Sequence, residues 1–167
     1  QRFVASQNER TTDERRTDEE VWADYRHRLS GTVLREVLQP KTFSTADIAV
    51  RFDYAFKNER WHVLRPLSLD YARSGSIRRR ASEVLGECVA LSENDELREG
   101  KLYLLLGAPT QAEHLDAYQH AKRILDRQIP IGHEIIEERD AEKLIVHLDG
   151  IAREHAQARP GENGKHT

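Results

Sequence analysis

The chain is poor in the residues that staple, span or colour a protein. It has one cysteine, Cys88, and therefore no internal disulfide. Only 7% of its residues are aromatic, and 9 glycines and 5 prolines exclude a collagen-like repeat. The longest strongly apolar run, Leu102 to Ala108, falls far short of the roughly 20 residues a membrane span needs. No stretch joins a basic start, an apolar middle and a small-residue cleavage site. These absences lead us to expect a cytoplasmic protein with no membrane partner. Methionine is also missing altogether. The expectation is that these residues follow a region of a longer protein, since Arg2-Phe3-Val4 reads as the end of an element.

What remains is a chain of 167 residues, 38% hydrophobic and 33% charged, enough for one domain. Residues 1–17 carry no periodicity and are expected to be flexible. Residues 18–158 are read as one α/β domain, and 159–167, with Pro160, Gly161 and Gly164, as a disordered tail.

Thr17 followed by Glu20 is a capping box. The stripe Trp22, Tyr25, Leu29, Val33, Val37 then predicts a helix over 18–38, closed by Gln39-Pro40. From Asp47 the period becomes two. Ile48, Val50, Phe52, Tyr54 and Phe56 make a half-buried strand, and 61–67 returns as its hairpin partner. A second helix starts at Ser74-Gly75-Ser76 and ends at Asn94-Asp95. Leu102 to Leu106 is apolar on both parities, as in a strand covered on both faces. Thr110 with Glu113 is expected to cap a third helix running to Ile129, 133–138 to form a short strand, and Asp140 to cap a fourth helix. The order α-β-β-α-β-α-β-α implies a mixed sheet of four strands with about four helices packed on it.

The phosphate and nucleophile loops G-x-x-x-x-G-K-[ST], G-x-G-x-x-G and G-x-S-x-G do not occur. With one cysteine and no H-E-x-x-H, a zinc site of the structural or protease kind is not expected. Leu106-Gly107-Ala108-Pro109-Thr110 places a glycine turn between a strand and a helix start, where free amides favour an anion. Its simpler meaning is a turn followed by a cap.

The hairpin offers more chemistry. A two-residue loop at Asn58-Glu59 would pair Phe56 with Trp61 and leave Arg51, Asp53, Arg60 and His62 on the opposite face. Asp53 and His62 would then be diagonal neighbours roughly 7–8 Å apart, with Ser68 and Asp70 beyond. Asp53, Asp70 and His62 are the candidate catalytic or metal-holding set, a divalent metal being the cofactor such a set would use. Nearby, residues 51–80 hold eight Lys/Arg against three acids, while 81–167 hold ten against seventeen. Arg73, Arg78, Arg79 and Arg80 are therefore candidates for binding a nucleic acid or another anion. Arginines in a first turn oppose the helix dipole, which an external anion would relieve. Their simpler meaning is a solvated turn, with Arg79–Glu83 as an i,i+4 pair.

A restriction-endonuclease-like nuclease core also combines a helix, antiparallel strands and an acidic strand residue. Its pattern requires an acid and then acid-x-Lys on the following strand. This chain offers Glu59-Arg60-Trp61 and Ser68-Leu69-Asp70-Tyr71-Ala72, with no lysine in place, and two strands where that core has three. It is not assigned there. Two functions follow. The first is a non-catalytic protein-interaction module without cofactor, whose partner is another protein or its own preceding region. The alternative is a metal-dependent phosphodiesterase or nucleic-acid-binding domain.

Overall fold

The structure, a computed structural model, describes residues 13–166, with side chains to 156. Residues 1–12 of the expected flexible segment lie outside the described residues. The expected tail at 159–167 falls outside those described with side chains.

The α/β class holds, with five strands and six helices among the described residues instead of four and about four. Helix α1 (Asp18–Arg26) begins at Thr17 with both halves of the capping box in place. The helix expected over 18–38 breaks into three pieces. A 3₁₀ turn at His27–Leu29 and Gly31 at φ +76° end the first part, a conformation glycine adopts without strain. Thr32 then caps a short α2 (Val33–Val37). Asp149 also accepts from the Leu34 amide at 3.0 Å.

Pro40 stops the helix but opens a strand. β1 (Gln39–Ser44) pairs antiparallel with β2 (Ala49–Lys57), with a register shift between Gln39 and Lys41. Proline is tolerated there because β1 is an edge strand. β3 (Trp61–Ser68) completes the antiparallel meander. α3 (Ser74–Ala90) crosses to β4 (Lys101–Gly107), parallel to β3. Between them Asn94 caps a short α4 (Asp95–Glu99) through the Leu97 amide, so the expected helix end is also a helix start. α5 (Leu115–Gln128) then crosses to β5 (His133–Ile136), parallel to β4, and α6 runs Ala141–His166. The sheet order is β1-β2-β3-β4-β5.

Three layers result. Leu102, Leu104 and Leu106 face a core shared with α3 (Ile77, Ala81, Val84, Cys88) and α5 (Ala117, Tyr118, Ala121, Leu125). Tyr103 and Leu105 face a second core with α1 (Val21, Trp22, Tyr25) and α6 (Leu144, Ile145, Leu148). Cys88 is buried in the first, and burial pushes its thiol up to about 11, which makes it a packing residue and a poor nucleophile. Among the described residues no helix is long and apolar enough to cross a membrane.

At the lower end of β3, Gly100 lies against the hairpin. A Cβ there would stand 2.6 Å from the Trp61 carbonyl oxygen, a backbone atom that cannot swing away. Gly100→Ala should therefore lower stability by about 1–3 kcal/mol, checked by urea denaturation with an unchanged slope.

Candidate functional site

The hairpin decides the fate of the first candidate set. Its turn holds three residues, because Lys57 pairs with Trp61 and Phe56 with His62. The Asn58 amide donates to the Arg60 carbonyl, and the Arg60 amide to the Asn58 side-chain oxygen. A register one residue from that expected turns every following side chain to the other face. His62 consequently lies inside the second core, 2% exposed, stacked on Phe56 with ring centroids 4.8 Å apart. Its Nε2 donates to the Asn58 oxygen at 3.1 Å and Nδ1 accepts from the Tyr103 hydroxyl at 3.1 Å, which fits a neutral ring. Burial above all, with the charges of Arg60 and Lys101, pushes its pKa down to about 4.

Asp53 stays on the surface and pairs with Arg51 at 3.1 Å, both side chains more than half exposed. It shares a shallow groove with Asp18 and Glu19 of α1. Asp18 is already engaged there, one oxygen accepting from the Ser68 amide at 2.7 Å and the other from Arg80 at 3.1 Å.

Asp70 is buried at the carboxyl end of β3. Its Oδ1 accepts from the amide and hydroxyl of Thr110 at 3.0 and 3.2 Å, and its Oδ2 from Arg16 Nε at 3.3 Å. Asp53, His62 and Asp70 are thus held apart by separate partners. Among the described residues no group of three His, Cys, Asp or Glu side chains is arranged to hold a metal ion.

The glycine turn after β4 is equally spoken for. The Ala108 amide donates to Glu138 at 3.3 Å and the Thr110 amide to Asp70, so the chain's own carboxylates sit where an anion was expected. Thr110 is not the helix cap, since a 3₁₀ turn at Ala112–His114 intervenes before α5. Arg16 closes the cluster. It reaches Asp70, Asp24 at 3.2 Å, both oxygens of Glu138 at 2.9 and 3.2 Å, and the Ala108 carbonyl at 2.7 Å. A Cβ on Gly107 would come 2.3 Å from Val21 and 3.2 Å from this guanidinium, which explains a glycine there.

The arginine segment divides. Arg80 is tied to Asp18 and to Glu83, so it is Arg80, one residue on from the expected Arg79, that reaches Glu83. Arg73 stands 3.5 Å from Asp13, with its side chain 66% exposed. Arg78 and Arg79 are exposed on α3, and among the described residues neither has an ion pair. Beside them lies a groove of about 190 Å³ lined by Asp13, Glu14, Tyr71, Ser76, Arg79, Arg80 and Glu83. Asp13, Glu14 and Arg16 were not anticipated. They belong to a stretch fixed by one bridge between Glu14 and Tyr71 and by the bonds Arg15 N to Asp70 O and Ala72 N to Asp13 O. So brief a pairing leaves no period in the sequence.

The strand count no longer separates this fold from the nuclease core, since three strands precede α3. The missing acid-x-Lys still does; across from Tyr54, β3 reads Leu64-Arg65-Pro66. Comparison with protein-family models, curated proteins and solved structures gives no match.

Two outcomes follow. Arg16→Ala leaves the Asp70 carboxylate buried with one partner fewer and should cost on the order of 3 kcal/mol, read as a fall in urea midpoint. Neutral His62 in the fold takes up a proton only near pH 4, whereas in the unfolded chain it does so near 6.5. Its contribution is full above pH 6.5 and is lost as pH falls toward 4, by about 3 kcal/mol. His62→Gln should flatten that limb of the stability profile.

Proposed function

We propose that this domain works by binding, as a protein-interaction module of a larger protein or assembly, and that the first half of α3 is its docking edge. One observation carries the reading. Asp53, His62 and Asp70, the candidates for acid–base or metal chemistry, are each engaged by a partner inside the fold or on its surface, whereas Arg78 and Arg79 stand exposed with no ion pair among the described residues. Two exposed guanidiniums on one helix favour a partner that presents carboxylates or phosphates. The groove at their side favours a protein. It sets Asp13, Glu14 and Glu83 beside Arg79 and Arg80, and a continuous line of phosphates would meet those acids unfavourably.

Nucleic-acid binding is the second reading, supported by the same exposed arginines at a helix start. Its catalytic form has less support, because Asp53, His62 and Asp70 do not converge.

The test uses fluorescent probes at roughly 50 mM salt, where electrostatic association is strong. A poly-glutamate peptide should bind, with affinity falling as salt rises. The Arg78→Ala/Arg79→Ala double variant should weaken it about tenfold or more. DNA or RNA 20-mers binding more tightly than the peptide would replace the proposal with the second reading. Cleavage of them with Mg²⁺ or Mn²⁺, abolished by Asp53→Asn, would overturn it. Failure of all three probes to bind would remove the docking edge.

A further inference from the structure

The groove beside α3 contains a buried charge that the fold does not satisfy. Asp13 is 5% exposed, and neither of its carboxylate oxygens has a hydrogen-bond partner among the described residues. Arg73 Nε, 3.5 Å from Oδ1, is too far for a good bond, and Oδ2 lacks even that. Asp70 in the same region takes three hydrogen bonds, and Glu87, whose Oε1 is also buried without a hydrogen bond, has the Arg65 guanidinium in close ionic contact, so Asp13 stands out in having both oxygens without a bond. Burying a charge without donors is costly, and the cost falls when a cation with N–H groups arrives.

The surroundings select the kind of cation. Glu14 lines the same groove, and its carboxyl is held above the ordinary range by burial and by the neighbouring charge of Asp18. Of the two arginines that line the groove, Arg80 is tied to Asp18 and Glu83, and Arg79 is exposed, so that solvent screens its like charge. Two unbonded oxygens on one carboxylate match the two parallel N–H groups of a guanidinium better than the single point charge of an ammonium. A volume of about 190 Å³ holds such a group with water to spare.

We infer that the Asp13 groove is a socket for an arginine side chain presented by the protein partner. The inference rests on the binding reading above and adds the partner's chemistry: an arginine for Asp13 close to acids for Arg78 and Arg79. The exposed Arg73 side chain swings aside as the partner's guanidinium takes its place.

The experiment is an amide-resolved NMR titration of the full chain with N-acetyl-arginine amide, and with N-acetyl-lysine amide for comparison. Saturable shifts at Glu14, Tyr71 and Ser76 are expected from the arginine probe, with the lysine probe about tenfold weaker. Asp13→Asn should abolish the shifts while leaving the melting temperature unchanged or raised, because it removes a buried charge that no hydrogen bond satisfies and that only the long Arg73 contact offsets. Arg73→Ala should keep or strengthen them. Equal binding to Asp13→Asn would overturn the socket. So would a marked fall in that variant's melting temperature, which would give the carboxylate a structural partner. The Arg78→Ala/Arg79→Ala variant should bind the arginine probe at least as well as the parent, because Arg79 lines the groove as a like charge. Loss of poly-glutamate binding alone would therefore sink the docking edge, and absence of arginine binding alone would sink the socket.

Discussion

The constraint on which the structure depends is that β4 is buried on both faces. Leu102 to Leu106 offers solvent nothing, so helices must cover the sheet on either side. The two parallel crossovers, through α3 and α5, supply one layer. The other must come from elements outside those crossovers, and α1 and α6, at the two ends of the domain, provide it. Tyr25 ties that layer down, its hydroxyl donating to the carbonyls of Leu106 and Ile136 at 3.2 and 3.4 Å across β4 and β5. Each fully buried leucine contributes roughly 1.5–3 kcal/mol. β4 is therefore the element whose loss would release both layers together.

Where β3 and β4 end, the layers leave carbonyls, amides and side chains crowded at one rim, the usual place for a ligand in such sheets. Here the rim is closed by the protein itself. Arg16 draws Asp70, Glu138 and the Ala108 carbonyl around one guanidinium, and Asp70 in turn fixes Thr110. The same ties anchor residues 13–16 against the loop after β3. That anchoring places Asp13 and Glu14 beside the start of α3. The closure of one possible site thus builds the groove next to it.

The two-sided strand, the capping box at Thr17 and the stripes of α3 and α5 were legible because each obeys a period or a local rule over several residues. The failures come from one-residue decisions and from contacts between residues far apart in the sequence. Asn58 holding a three-residue turn instead of two moved His62 from an open face into the core, and with it went the diagonal to Asp53. Pro40 reads equally as a stop after a helix and as the start of an edge strand; only the partner, with Phe43 opposite Val50, selects the second. The Arg16 hub joins residues up to 122 positions apart, and no local pattern encodes such a contact.

The distribution of satisfied and unsatisfied charge carries the functional argument further than composition does. A net charge of −3 said nothing about partners. Sorted by partner, the acids named as catalytic candidates are held by arginines or amides, and the four arginines of the 73–80 segment split into Arg80, held by Asp18 and Glu83, Arg73, in a long contact with Asp13, and Arg78 and Arg79, with no ion pair among the described residues. An exposed arginine is easily hydrated, so Arg78 and Arg79 alone would define a weak, salt-sensitive surface. Asp13 is different, because water does not reach its oxygens in this state. Weakly held positive charge beside a deeply held negative one suits a partner recognised in two steps, first by attraction at α3 and then by a specific pairing in the groove.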